Sequence, residues 1–136
     1  MNYNERGKIE NRNRARQIID FSGLQYGKIT PTDIDGLIEY HDKAILLLEF
    51  KYADAEMPRG QKVALERMCD CFKKTGKESA VLVCEHHMRD WTKDVVARNA
   101  IVREIYYNGC WHIDGKSTVK EKVDRFIQFV DHKWFD

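Results

Sequence analysis

Proline and glycine are scarce in this chain: 136 residues hold two prolines and eight glycines. That composition leaves no low-complexity linker, and no internal repeat is visible, so residues 1–136 read as one domain of ordinary size. Long apolar runs are missing too. The longest candidate, residues 44–48, is five residues long, far short of the roughly 18 that cross a bilayer. A membrane partner is therefore not expected. The opening Met1-Asn2-Tyr3-Asn4-Glu5-Arg6 leads into no apolar segment, so no secretory leader is expected and cytoplasmic residence is the default. Among Cys69, Cys71, Cys84 and Cys110 the paired spacing of a zinc cage is absent. They read as free thiols of a reducing compartment.

Net charge is nearly absent as well. Lys and Arg number 23, Asp and Glu 22, and the balance is +1. This excludes binding of nucleic acid by bulk charge and excludes an acidic disordered tail. The balance is not uniform along the chain. Residues 1–30 carry six Lys/Arg against three Asp/Glu, residues 31–58 two against seven, and residues 59–136 fifteen against twelve. An acidic centre of −5 thus lies between two flanks of +3.

Hydrophobic periodicity predicts a mixed α/β protein. Residues 6–21 read as a helix with a basic surface, stopped near Gly23. Residues 33–40 alternate as a strand, and residues 44–52 form an apolar run that reads as a buried central strand. Residues 61–75 space Ala64, Leu65, Met68 and Phe72 as the apolar stripe of a helix that ends at Gly76. Residues 79–86 read as a second buried strand. Residues 100–107 and 110–113 form a hairpin around Asn108-Gly109. Thr118 and Glu121 make a capping box for a last helix whose stripe runs from Val119 to Trp134. The expected fold class is α/β, a central mixed β-sheet flanked by helices.

The acidic centre carries the chemistry. Glu49 and Lys51 are two apart on a strand and share a face. Asp35 joins that face only if the first hairpin is centred on Asp42, with a loop of three residues (41–43) or five; a two-residue loop separates the carboxylates. Two carboxylates on one face make a hard oxygen site for Mg2+ or Mn2+, which keeps waters and takes a phosphate oxygen as a further ligand. Lys51 is then placed to orient or deprotonate the attacking water, or to neutralise developing charge.

The run Thr32-Asp33-Ile34-Asp35-Gly36-Leu37-Ile38-Glu39, a turn, and then Leu48-Glu49-Phe50-Lys51 resembles the PD-(D/E)xK nuclease superfamily over about residues 5–87. The resemblance implies a restriction-endonuclease-like core. It also implies that Asp35 and Glu49 hold the divalent metal and that Lys51 takes part in activating water for phosphodiester hydrolysis. Gln61 stands where many members carry a polar residue on the helix after the motif strand. Glu10 or Glu5 matches a first-helix Glu that touches metal in some members, and Asp33 is a further candidate ligand. The proline is displaced: Pro31 lies four residues before Asp35.

The expected function is metal-dependent hydrolysis of DNA, with Arg12, Arg14 and Arg16 gripping phosphates. The small size leaves little room for a module that reads a long site. Structure-selective or non-specific cutting of duplex, branched or single-stranded DNA is therefore expected, as in the small phage, resolvase and repair enzymes the motif resembles. A homodimer would cut both strands. The alternative is a catalytically idle nuclease fold that binds nucleic acid or protein, for example as a phage-encoded inhibitor. Zinc held by Cys84, His86, Cys110 and His112 is a weaker reading than buried thiols. Trp91 and Trp111 are read as core residues first and as base-stacking platforms second.

Overall fold

Two apolar stretches fix the centre of the molecule. In the computed structural model, which describes residues 7–15, 17 and 20–135, they are β2 (Ala44–Tyr52) and β3 (Glu78–His86). The two pair in parallel from Ala44 opposite Glu78 to Tyr52 opposite His86. Strands buried on both faces need no alternation, which is why both read as continuous Leu, Ile and Val runs. A parallel pair needs a crossover, and α2 (Arg59–Lys74) supplies it. β1 (Gly36–Tyr40) lies antiparallel on the outer side of β2. β4 (Ile101–Tyr107) and β5 (Cys110–Ile113) continue the sheet antiparallel beyond β3. The order is β1-β2-β3-β4-β5, a five-stranded mixed sheet.

Each face of the sheet has its own core. On one face Leu47, Val81 and Tyr106 pack with Leu65 and Cys69 of α2. On the other, Leu46, Leu48, Leu82, Cys84 and Val102 pack with Val119, Val123 and Phe126 of α3 (Val119–Trp134). The two helices thus flank the sheet, and the expected α/β class holds. The Asn108-Gly109 turn takes positive φ at both positions, 51° and 80°, the geometry that matches strand twist in a tight hairpin. No helix among the described residues is long and apolar enough to cross a membrane.

The last helix starts as its sequence dictates. The Thr118 hydroxyl accepts from the Glu121 N–H at 3.2 Å, and the Glu121 carboxylate accepts from the Thr118 N–H at 2.9 Å. Thr118→Ala is expected to remove about 1 kcal/mol and lower Tm by about 3–4 °C, read by thermal unfolding. An unchanged Tm would mean that water caps the helix equally well.

The chain divides into two units, up to Thr32 and from Asp33 on. The expected helix over residues 6–21 is corrected: among the described residues it is helical only at α1 (Arg12–Ala15). Asp20 diverts the chain, because its carboxylate accepts from both the N–H and the hydroxyl of Ser22, a local turn that competes with helix. A two-bond bridge between Tyr26 and Ile29 follows.

At the N-terminal ends of β2 and β3 a single carboxylate ties the elements together. Glu78 is 2% exposed. It accepts from Lys73 at the end of α2, from Lys133 at the end of α3 and from the Tyr107 hydroxyl, at 2.7, 3.0 and 2.5 Å. Burial alone would raise the Glu78 carboxyl, but these bonds outweigh it and hold the group below the usual carboxylate range.

Candidate active site

The first hairpin sets the geometry. Tyr40 pairs with Ala44 and Gly36 with Leu48, so the loop is residues 41–43 and the hairpin is centred on Asp42. That is the odd loop that the site requires. His41 and Asp42 accept the tight turn by taking positive φ, 49° and 59°. Asp35 consequently meets Glu49. The expected strand over residues 33–40 starts later, at Gly36, and the reason lies in the site. The Asp35 N–H donates to Glu49 Oε1 at 3.1 Å, and Asp35 Oδ2 accepts the Phe50 N–H at 2.8 Å. Two carboxylates thus take the places of ladder carbonyls, and the backbone pairing ends there.

Glu49 is 1% exposed, on the sheet face that α2 covers. α2 enters with Gln61 in its first turn. The Gln61 amide group donates to Glu49 Oε2 at 2.8 Å, while its oxygen accepts from Lys51 Nζ at 3.2 Å. Lys51 Nζ stands 4.0 Å from Glu49 Oε2. Asp35, Glu49, Lys51 and Gln61 therefore form one connected cluster, built from β2, the residue before β1 and the first turn of α2. Glu49 is the buried member of its pair with Lys51, so the cluster is more than a surface ion pair.

The electrostatics of the cluster are unbalanced. Burial raises the Glu49 carboxyl to about 7, the neighbouring Asp35 charge adds to the rise, and Asp33 adds further to it. The Asp35 N–H and Lys51 oppose the shift without cancelling it. Asp33 is exposed and lies ahead of β1, within electrostatic reach of Glu49. A carboxylate pair with a single ammonium is short of positive charge. Mg2+ requires only one or two carboxylates, with waters and a phosphate oxygen completing its shell, and the donor set fits such an ion. Among the described residues no group of three or more His, Cys, Asp or Glu gathers as a metal cage.

The remaining candidates belong to other segments of the chain. Glu10 belongs to the N-terminal unit, where it is exposed and precedes α1. Arg12 and Arg14 belong to the backbone of α1. Arg16 and Glu5 lie outside the described residues. Cys84 is buried in the core facing α3, its thiol pushed up to about 12 by burial, and Cys110 is exposed. The indole N–H of Trp111 donates to Glu66 of α2 at 2.5 Å and its ring packs on the α2-side core. Trp91 is 75% exposed, which corrects its reading as core.

One contact behind the cluster had no local signature. Arg103 on β4 donates to the carbonyl oxygens of Ala53 and Ala55 at 2.7 and 2.8 Å and to Glu85 Oε1 at 3.1 Å. It pins the segment between β2 and α2, and so fixes how Gln61 arrives at Glu49. Residues fifty positions apart carry no shared pattern in the sequence, and only the sheet brings them together.

No family model, no curated protein and no solved structure matches the chain.

Proposed function

We propose that the protein is a metal-dependent nuclease that hydrolyses DNA phosphodiester bonds on a restriction-endonuclease-like core. One observation carries this reading: a buried Glu49, raised to about 7, in contact with Asp35 and Gln61 and beside Lys51. A buried carboxylate beside a second carboxylate and an ammonium, raised in this way, is the kind of group that marks functional sites. The observed architecture, a hairpin followed by a helical crossover to a parallel strand, is compatible with that core.

Asp35 and Glu49 are the residues that would hold Mg2+ or Mn2+. When bound, the ion supplies acidification of water and neutralisation of charge on the phosphate. The Lys51 ammonium orients the attacking water and balances charge on the phosphoryl oxygens. Gln61 holds both Glu49 and Lys51 in place through its two amide atoms. The water oxygen bonds to phosphorus and releases one proton to solvent, the bond from phosphorus to one sugar oxygen breaks, and that oxygen takes a proton from solvent.

The test is incubation of the purified protein with plasmid, single-stranded and branched DNA in Mg2+, Mn2+ or EDTA. Cleavage is expected with either metal and not with EDTA. DNA binding without cleavage of any substrate would instead identify a catalytically idle module.

A further inference from the structure

Tyr52 and His86 are the final residues of β2 and β3 and are register partners. Alternation along the strands turns both away from the face of Glu49 and Lys51. Their rings meet nearly edge-on at 5.7 Å. The segment after β3 leaves from His86 and, with these two rings, encloses a cavity of about 480 Å³ lined by Tyr52, His86, Met88, Arg89, Trp91 and Lys93 among others. The cavity sits at the carboxyl ends of the parallel strands, the region where open α/β sheets bind ligands. Its volume falls within the roughly 300–1,000 Å³ of small-ligand pockets.

The lining specifies a chemistry. Tyr52 is 45% and Trp91 75% exposed, so two flat aromatic faces border the cavity. Arg89 and Lys93 add two cations. Asp90 also lines the wall, but its Oδ1 accepts from the N–H and hydroxyl of Thr92 at 3.0 and 2.6 Å, which engages it within its own loop. Aromatic faces beside cations suit a flat ring that carries a phosphate. A base stacked within a duplex cannot enter; an unpaired one can. Tyr52 directly follows Lys51 on β2 but turns to the opposite face of the sheet.

Resting on the nuclease reading for its substrate class, we infer that this pocket takes one unpaired nucleotide of a DNA strand. Its base lies against Trp91 and Tyr52, and its phosphate lies beside Arg89 and Lys93. The pocket then gives the protein a preference for DNA that carries a displaced or unpaired nucleotide.

The test is fluorescence anisotropy in EDTA with three labelled duplexes of one sequence. One is fully paired, one has a single unpaired thymidine, and one has an abasic residue at that position. The wild type is expected to bind the unpaired thymidine about tenfold more tightly than either of the others, the scale of one stacked base. Trp91→Ala is expected to erase this preference while changing affinity for the paired duplex less than about twofold, and Trp91→Phe, which keeps an aromatic face, to retain most of it. Thermal unfolding checks that both variants fold, as the exposure of Trp91 leads one to expect. Equal binding of all three duplexes by the wild type overturns the inference, as does a preference that survives in Trp91→Ala. Metal-dependent cleavage without the preference overturns the pocket alone. The preference without cleavage in any metal overturns the nuclease reading alone.

Discussion

Lys51→Ala is expected to reduce metal-dependent DNA cleavage by about 10²–10⁴-fold with the fold retained. The ammonium donates to Gln61 at 3.2 Å and stands 4.0 Å from Glu49. Its side chain is 19% exposed, close enough to solvent to meet a phosphate and sheltered enough to act through a reduced dielectric. Neither core contains it. Truncation therefore removes charge beside Glu49 and Gln61 without opening a cavity in the hydrophobic interior. The loss should fall on kcat, since in the proposed mechanism Lys51 acts on water and developing charge. Single-turnover cleavage and thermal unfolding of the same preparation separate the two effects. A wild-type rate in the variant would remove Lys51 from the mechanism.

Glu49→Gln is expected to abolish cleavage and at the same time to stabilise the protein at pH 8 without metal. Glu49 ionises at 4.5 in its ordinary state and at about 7 in the fold, so the native state holds this proton more tightly than the unfolded chain does. The stability it contributes is fully present below pH 4.5 and is lost as pH rises through 7. The loss at pH 8 has a ceiling of about 3 kcal/mol. A neutral amide of the same shape does not incur it. In EDTA at pH 8 the variant should melt several degrees above the wild type, and the gap should close near pH 4.5. Mg2+ or Mn2+ should raise the wild-type Tm at pH 8 and leave the variant unmoved. A variant less stable than the wild type at pH 8 would show that Glu49 is no charge burden to the fold.

Much of the site was legible because it is local. Asp35, Glu49, Lys51 and Gln61 lie within 27 consecutive residues, and strand alternation together with the parity of the loop decides which side chains meet. The Asn108-Gly109 turn and the Thr118/Glu121 box were legible for the same reason: each is a few residues long with one geometry. The first helix was misread because periodicity alone says nothing about what covers a face; Ile9 stays 71% exposed, and a short helix without a packed face is marginal in water. Trp91 was misplaced because ring size argues for burial and only the fold of the 87–96 segment decides against it. The Arg103 clamp and the Glu78 node join residues from distant strands and helices, and nothing within a sequence window marks them.

Those two ends of the β2–β3 pair have opposite dependences on acidity. Glu78, held low by two lysines and a tyrosine, contributes stability that is lost as pH falls. Glu49, raised to about 7, contributes stability that is lost as pH rises. The same residue type, equally buried, is thus neutralised by the protein at one end and left charge-deficient at the other. Acid removes the contribution of the carboxylate that ties the helices, and base removes that of the carboxylate where chemistry is proposed. Stability then has an acid limb set by Glu78 and an alkaline limb set by Glu49, and a divalent cation at the proposed site would act on the alkaline limb.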